Sequence, residues 1–310
     1  MDIDYENLRK RLGVVALSNR MNIQANDHAK HFFGHKKLHH RSLYALYLIA
    51  CKILRHPWIF SWGHRNALNV QVRRTELTFD NLPSVFDGFR ILHISDLHMD
   101  GMPDLLDVLI RTIQPLEYDL CVFTGDFREG MLGAYDRPAQ MAVALCNAID
   151  SETLAILGNH DAIEMVSTLE AGGVSLLLNE HKVIERDGAQ IVILGVDDPH
   201  YYQADDLERA LQGSPPDAFK ILLAHSPEIT HKALAVGVDF YLCGHTHAGQ
   251  ICLPGRRPVF TVSRGPKHCK DGLWEHNGVR GYTSAGAGAS TVPVRFNCPP
   301  EITIHTLRSK

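Results

Sequence analysis

Five strand-length apolar runs in this chain all end on Asp, Asn or His, and that recurrence limits the fold more than any compositional figure. Residues 89–95 lead into Asp96-Leu97-His98, residues 119–124 into Gly125-Asp126, and residues 154–157 into Gly158-Asn159-His160-Asp161. Residues 220–224 lead into His225, and residues 238–243 into Gly244-His245-Thr246-His247. In open α/β sheets, ligands bind beyond the carboxyl ends of the strands, so these polar ends are expected to share one crevice. His245 and His247, one residue apart, form a cation site only if other segments answer them, and four do. Gly244 is expected to give the backbone freedom for the turn that carries them.

The ordered set D-x-H, G-D, G-N-H-D, H and G-H-x-H resembles the calcineurin-like metallophosphoesterases, which hydrolyse phosphate esters with two metal ions. The resemblance covers residues 76–310. It is closest to the bacterial branch with a membrane-proximal N-terminus, judged by Leu82-Pro83, Phe86-Asp87-Gly88-Phe89-Arg90, residues 244–250 and Pro299-Pro300-Glu301-Ile302. It implies an α/β fold, a four-layer αββα sandwich of two mixed β-sheets flanked by helices. It also implies that Asp96, His98, Asp126 and His247 bind one divalent metal and that Asp126, Asn159, His225 and His245 bind a second, with Asp126 shared. Nitrogen and oxygen donors without thiolate suit Mn, Fe, Zn or Co. By the same resemblance a metal-bridging hydroxide is the nucleophile. His160 would protonate the leaving oxygen or steady the phosphoryl charge, and Asp161 would orient His160 or a ligand. Arg128 reads either as a bidentate partner of the substrate phosphate or as a solvated loop charge.

The implied substrate is a phosphomonoester, phosphodiester or pyrophosphate. One version is lipid-linked, such as UDP-2,3-diacylglucosamine at the cytoplasmic membrane face; the alternative is a soluble nucleotide or cyclic-nucleotide phosphodiesterase. A non-catalytic scaffold on the same fold is the remote reading, because scaffolds lose metal ligands and this chain keeps every one.

Charge separates the chain into two parts. The net charge is -4, which argues against nucleic acid as a partner, yet residues 28–75 contain nine Lys and Arg and no Asp or Glu. Within that stretch residues 42–54 are apolar except for Lys52, and Trp58, Ile59, Phe60 and Trp62 follow Pro57. The run falls short of the roughly 20 apolar residues that span a bilayer. It has instead the pattern of a peripheral anchor on an anionic leaflet, with a helix packed on the catalytic domain as the plainer reading. Residues 1–75 are accordingly expected to be a basic, partly apolar segment and residues 76–310 the catalytic domain. Because every implied ligand lies beyond residue 95, removal of residues 1–70 is expected to spare hydrolysis. His28, His31, His35 and His39 lie at helical spacing and, with Lys30, Lys36 and Lys37 among them, read as a basic amphipathic face. Seven scattered cysteines, an odd number without C-x-x-C spacing, indicate neither a disulfide framework nor a zinc knuckle and fit a reducing cytoplasm.

From residue 72 onward the pattern is regular. An edge strand is expected over 72–79, helices over 103–113, 137–149, 162–171 and 205–211, and strands over 174–178, 182–186 and 190–196 in hairpin-like succession. His93 reads as a core histidine, His200 with Tyr201 and Tyr202 as a polar loop, and residues 284–290 as a tight loop near the site.

Overall fold

The central short strands that end at the polar clusters are apolar at most positions because their alternate residues face two different apolar layers. Ile91, Leu120, Val122 and Leu154 enter the core between the sheets, where they meet Ile191, Ile193, Ile221, Leu223 and Phe240. Their neighbours Leu92, Ile94, Cys121 and Phe123 face helices on the other side. The computed structural model describes residues 3–26 and 48–310. Its first sheet has the order β1 (Gln71–Phe79), β14 (Glu301–Ser309), β2 (Arg90–Ile94), β3 (Leu120–Phe123), β4 (Thr153–Ala155) and β5 (Ser175–Leu176). Its second has the order β12 (Gly272–His276), β13 (Val279–Thr283), β9 (Phe240–Cys243), β8 (Phe219–Leu223), β7 (Ala189–Gly195) and β6 (Glu180–Arg186). A two-stranded hairpin, β10 (Cys252–Leu253) with β11 (Arg257–Pro258), stands apart.

Two helical layers close the stack. Helices α1 (Tyr5–Leu12), α2 (Val14–Ala25), α4 (Leu105–Ile113), α5 (Asp136–Cys146) and α6 (Met165–Ala171) cover the first sheet, and α7 (Leu207–Leu211) and α8 (Thr230–Ala235) cover the second. Leu105, Leu109 and Ile113 show how the sequence fixes the seating of α4, since a spacing of four puts all three on its buried stripe. The result is the αββα sandwich. One succession departs from expectation: β5 pairs in parallel with β4 in the first sheet, and only β6 and β7 form a hairpin. The chain changes sheets at residues 177–179, where Leu177 is already in the core between them.

Beyond the reach of sequence reading, residues 3–26 form part of the sandwich. Leu8, Leu12 and Leu17 are buried in the helix-covered core. Arg11 donates to both carboxylate oxygens of Glu180 at 2.9 and 2.8 Å and to Glu170 at 2.6 Å, which ties α1 to β6 and α6. Arg20 is fully buried and donates to Asp197 at 2.5 Å. Residues 48–54 are helical, α3 (Pro57–Ala67) follows, and β1 runs parallel to β14 over nine register pairs, so residue 76 lies inside β1. The histidines between 28 and 39 and the apolar residues 42–47 lie outside the described residues. No described helix is long and apolar enough to cross a membrane.

Candidate active site

Parallel pairing sets the ends of β2, β3 and β4 side by side, with Ile94 opposite Phe123 and Phe123 opposite Ala155. In the facing sheet β8 and β9 do the same, with Leu223 opposite Leu242. All five polar ends therefore open on one crevice. The loops are laced together by their backbones: Asp96 N–H donates to Gly125 O at 3.0 Å, His98 N–H to Asp126 O at 3.1 Å and Gly244 N–H to His225 O at 2.9 Å.

The ligand-bearing residues do not continue their strands. Asp96, His98, Asp126, His245 and His247 all have positive φ, between 44° and 71°. A side chain in that region strains the backbone, and such strain concentrates at functional sites. D-x-H and H-x-H thus make the same kind of turn, with a left-handed residue on either side of the middle one. Gly244 acts by its size and not by a special φ, because a Cβ there would sit 1.9 Å from Ser95 Oγ and 2.2 Å from Asp96 Oδ2. That close approach lets His245 N–H donate to the Asp96 carboxylate at 3.0 and 3.1 Å.

The donor atoms fall into two groups that meet at Asp126. In one, His98 Nε2 and His247 Nε2 are 3.1 Å apart, His247 Nε2 is 3.4 Å from Asp96 Oδ1, and His98 Nε2 is 3.7 Å from Asp126 Oδ2. In the other, Asn159 Oδ1 lies 3.0 Å from His225 Nε2 and 2.8 Å from His245 Nδ1, and His225 Nε2 is 3.2 Å from Asp126 Oδ2. His98 and His225 each turn Nδ1 toward a main-chain carbonyl, that of Arg128 at 2.9 Å and of Thr124 at 2.7 Å. Donation from Nδ1–H leaves a lone pair on Nε2, aimed at the other donors. Lone pairs facing one another at such distances fit a cation between them, so the residues present suit a metal in each group.

Electrostatics point the same way. Burial alone pushes an imidazole down, but the Asp126 carboxylate overrides it at His225, which is raised to about 10. At His98 the hydrogen-bonded Glu129, helped by Asp126, overrides burial and raises the ring to about 9. His245 and His247 are held well below the usual range by burial, and next by His200 and by His98 respectively. Asp126 stays well below the carboxylate range despite its burial because His225 and His160 face it. Asp126 thus keeps its negative charge at the centre of the histidines.

These features have counterparts in known proteins. The profile of the calcineurin-like phosphoesterase family matches residues 89–249. An uncharacterized metallophosphoesterase of Bacillus subtilis, YkuE, is 33% identical over 250 residues, covering 77% of this chain and 86% of that protein. The phosphodiesterase YaeI of Escherichia coli is 28% identical over 228 residues, covering 70% and 81%. This chain belongs to the calcineurin-like phosphoesterase family.

A metal-dependent phosphoesterase needs its charged loops fixed, and here three buried groups fix them. Asp161, expected to orient His160 or a ligand, accepts from the backbone N–H groups of the ligand residue Asp126 and of Gly158 and Phe127 at 2.8, 2.8 and 2.9 Å. It clasps two ligand loops together. Arg128, weighed as a phosphate partner, is buried and donates to the carbonyls of Met131 at 2.8 Å, of Gly133 at 3.3 Å and of His160. Its geometry is that of a loop clamp, neither of the two roles read from the sequence. Arg295, which the sequence did not single out, is fully buried, donates to Ala285 O at 2.6 Å and lies 3.2 Å from His247 Nδ1.

His160 is half-buried, with its N–H on Asp126 Oδ1 at 2.9 Å and its Nδ1 on Glu129 O at 2.5 Å. Its ring meets that of His98 edge to face at 4.9 Å. His200, read as a loop residue, packs its ring 4.1 Å from His245 and is held by Glu228 at 2.7 Å. His93 is a core histidine, bonded to Thr124 Oγ1 at 2.8 Å. The glycine-rich loop sits against the site, with Ala287 and Gly288 donating to Ser95 O and Asp96 O at 2.8 Å. Arg20 joins the N-terminal helices to this assembly by donating to Asp161 O at 3.0 Å. Loss of residues 1–70 would therefore remove the guanidinium that Asp197 and the Asp161 carbonyl share.

Proposed function

We propose that this phosphoesterase works with two divalent ions, drawn from Mn, Fe, Zn and Co, on an amphiphilic phosphate ester or pyrophosphate at the inner face of the cell membrane. The observation that carries the two-ion reading is the position of Asp126, whose Oδ2 stands 3.7 Å from His98 Nε2 in one donor group and 3.2 Å from His225 Nε2 in the other. Asp96, His98, Asp126 and His247 would hold one ion and Asp126, Asn159, His225 and His245 the second. Ions so held supply Lewis acidity to the phosphoryl oxygens and acidify water. His160 adds proton chemistry. Glu129 O accepts from its Nδ1–H, so Nε2 is the nitrogen left to protonate a leaving oxygen.

The membrane part of the reading is supported by exposed apolar side chains beside basic ones. Trp58 is 84% and Trp62 60% exposed, and Leu48, Ile49 and Ile53 are exposed as well. These residues lie in the acid-free stretch 28–75. Trp and Leu above a cationic surface are the pattern of interfacial binding to anionic lipid. The test is a substrate panel on metal-loaded protein, with UDP-2,3-diacylglucosamine set against soluble nucleotides and cyclic nucleotides. Preferential turnover of the amphiphile is the expected result. Equal or better turnover of nucleotides overturns the lipid-linked reading and leaves the soluble phosphodiesterase.

A further inference from the structure

A second stretch of the chain has the composition of residues 28–75. Residues 240–270 contain Arg256, Arg257, Arg264, Lys267 and Lys270 and no Asp or Glu. The β10–β11 hairpin and its continuation lie within it. There Leu253, Val259, Phe260 and Val262 are exposed, Phe260 by 71%, and Arg257, Arg264 and Lys267 are exposed among them. Exposed apolar side chains and exposed cations in one segment suit lipid headgroups and the acyl boundary below them.

This hairpin and the tryptophan-bearing α3 share one support. Residues 293–297 run between them: Arg295 N–H donates to Gly63 O at 2.9 Å on the α3 side, and Cys252 N–H donates to Phe296 O at 2.8 Å on the hairpin side. The Phe296 ring meets Trp62 edge on, with centroids 5.1 Å apart, while Ile251 pairs with Phe296 by a β-bridge. The hairpin also lies directly on the metal-bearing turn. A Cβ on Gly249, two residues after His247, would be 2.4 Å from Pro258 Cβ and 2.9 Å from Phe260 O.

We propose that residues 250–262 are a second lipid-inserting element, which acts together with α3 and brings an anionic bilayer to the rim of the active site. The inference rests on the membrane reading above and gives it a place on the surface. Charge complementarity decides for an anionic bilayer, because the exposed charges of residues 240–270 are all basic.

The experiment is flotation of the full-length protein with phosphatidylglycerol–phosphatidylcholine vesicles. Two variants are compared, Val259→Ser with Phe260→Ser, and Trp58→Ser with Trp62→Ser. Removal of two inserted apolar side chains is expected to weaken vesicle binding by roughly 10- to 100-fold in either variant. Hydrolysis of a soluble p-nitrophenyl phosphoester, which also reports an intact fold, is expected to stay unchanged. A second hairpin variant, Arg257→Glu with Arg264→Glu, should lose binding at low salt and lose less at high salt, where charge is screened. Undiminished binding of the Val259/Phe260 variant, alongside a loss in the tryptophan variant, overturns the hairpin and leaves α3 as the sole anchor. Failure of the unaltered protein to float at low salt overturns both.

Discussion

At the residue scale, the positions most legible in the sequence were those whose chemistry is direct. Asp, Asn and His at the ends of apolar runs pointed to the seven residues that the structure brings together in two donor groups around Asp126. Groups that act through others were not legible, because a carboxylate or guanidinium bound to backbone leaves no pattern in sequence. Asp161 stood in the motif, yet its work on three N–H groups follows from loop geometry; Arg295 carried no signal at all. His160 is where chemistry and metal binding separate. It lies outside both donor groups, so His160→Ala is expected to keep metal content near that of the unaltered protein while turnover falls by roughly 10²- to 10⁴-fold. The loss should shrink with a good leaving group such as p-nitrophenolate, which steady-state kinetics on paired substrates would show. Equal losses on good and poor leaving groups would remove the proton-donor role.

At the element scale, helices with a clear apolar stripe and strands with unbroken apolar runs were readable, since burial dictates both patterns. The left-handed turns were not. The strained φ values at Asp96, His98, Asp126, His245 and His247 accompany contacts across loops, and Gly244, read from the sequence as a source of backbone freedom, matters by its small size where the loops crowd together. Gly244→Ala tests that crowding: its methyl collides with Ser95 Oγ and Asp96 Oδ2, so Asp96 must move. Metal affinity is expected to drop by about 10- to 100-fold, the range seen when the support of a ligand is lost, with little change in far-ultraviolet circular dichroism. Titration calorimetry with Zn or Mn would check it, and unchanged affinity would mean that Asp96 is not held by this approach.

At the scale of the whole molecule, the first sheet and its helical layer follow from the alternation of βα units, whereas the parallel pairing of β7, β8 and β9 in the second sheet and the seating of the N-terminus do not. The buried Arg20 of α2 could be placed only once Asp197, 177 residues away, was brought to it. Tyr202 adds a ring 4.0 Å from the guanidinium. With Arg20 and Asp197 both fully buried, Arg20→Met strands a carboxylate in the core, and global stability is expected to fall by about 3–5 kcal/mol in urea unfolding. A loss below about 1 kcal/mol, the level of an exposed pair, would mean that α2 is merely laid on the surface. The N-terminal helices thus act as a strut of the catalytic domain, while α3, with its exposed tryptophans, faces outward from it.

The whole account turns on Asp126 as the joint between two metal positions. Its carboxylate would offset the mutual repulsion of two adjacent cations, and its Oδ2 stands 3.7 Å from His98 Nε2 in one donor group and 3.2 Å from His225 Nε2 in the other. The direct measurement is metal content per chain by plasma mass spectrometry, paired with turnover of a soluble phosphoester, for the unaltered protein and Asp126→Ala. The account predicts two ions per chain and metal-dependent turnover in the first, and fewer than two ions with turnover near background in the second. An Asp126→Ala protein that kept two ions and near-normal turnover would contradict it.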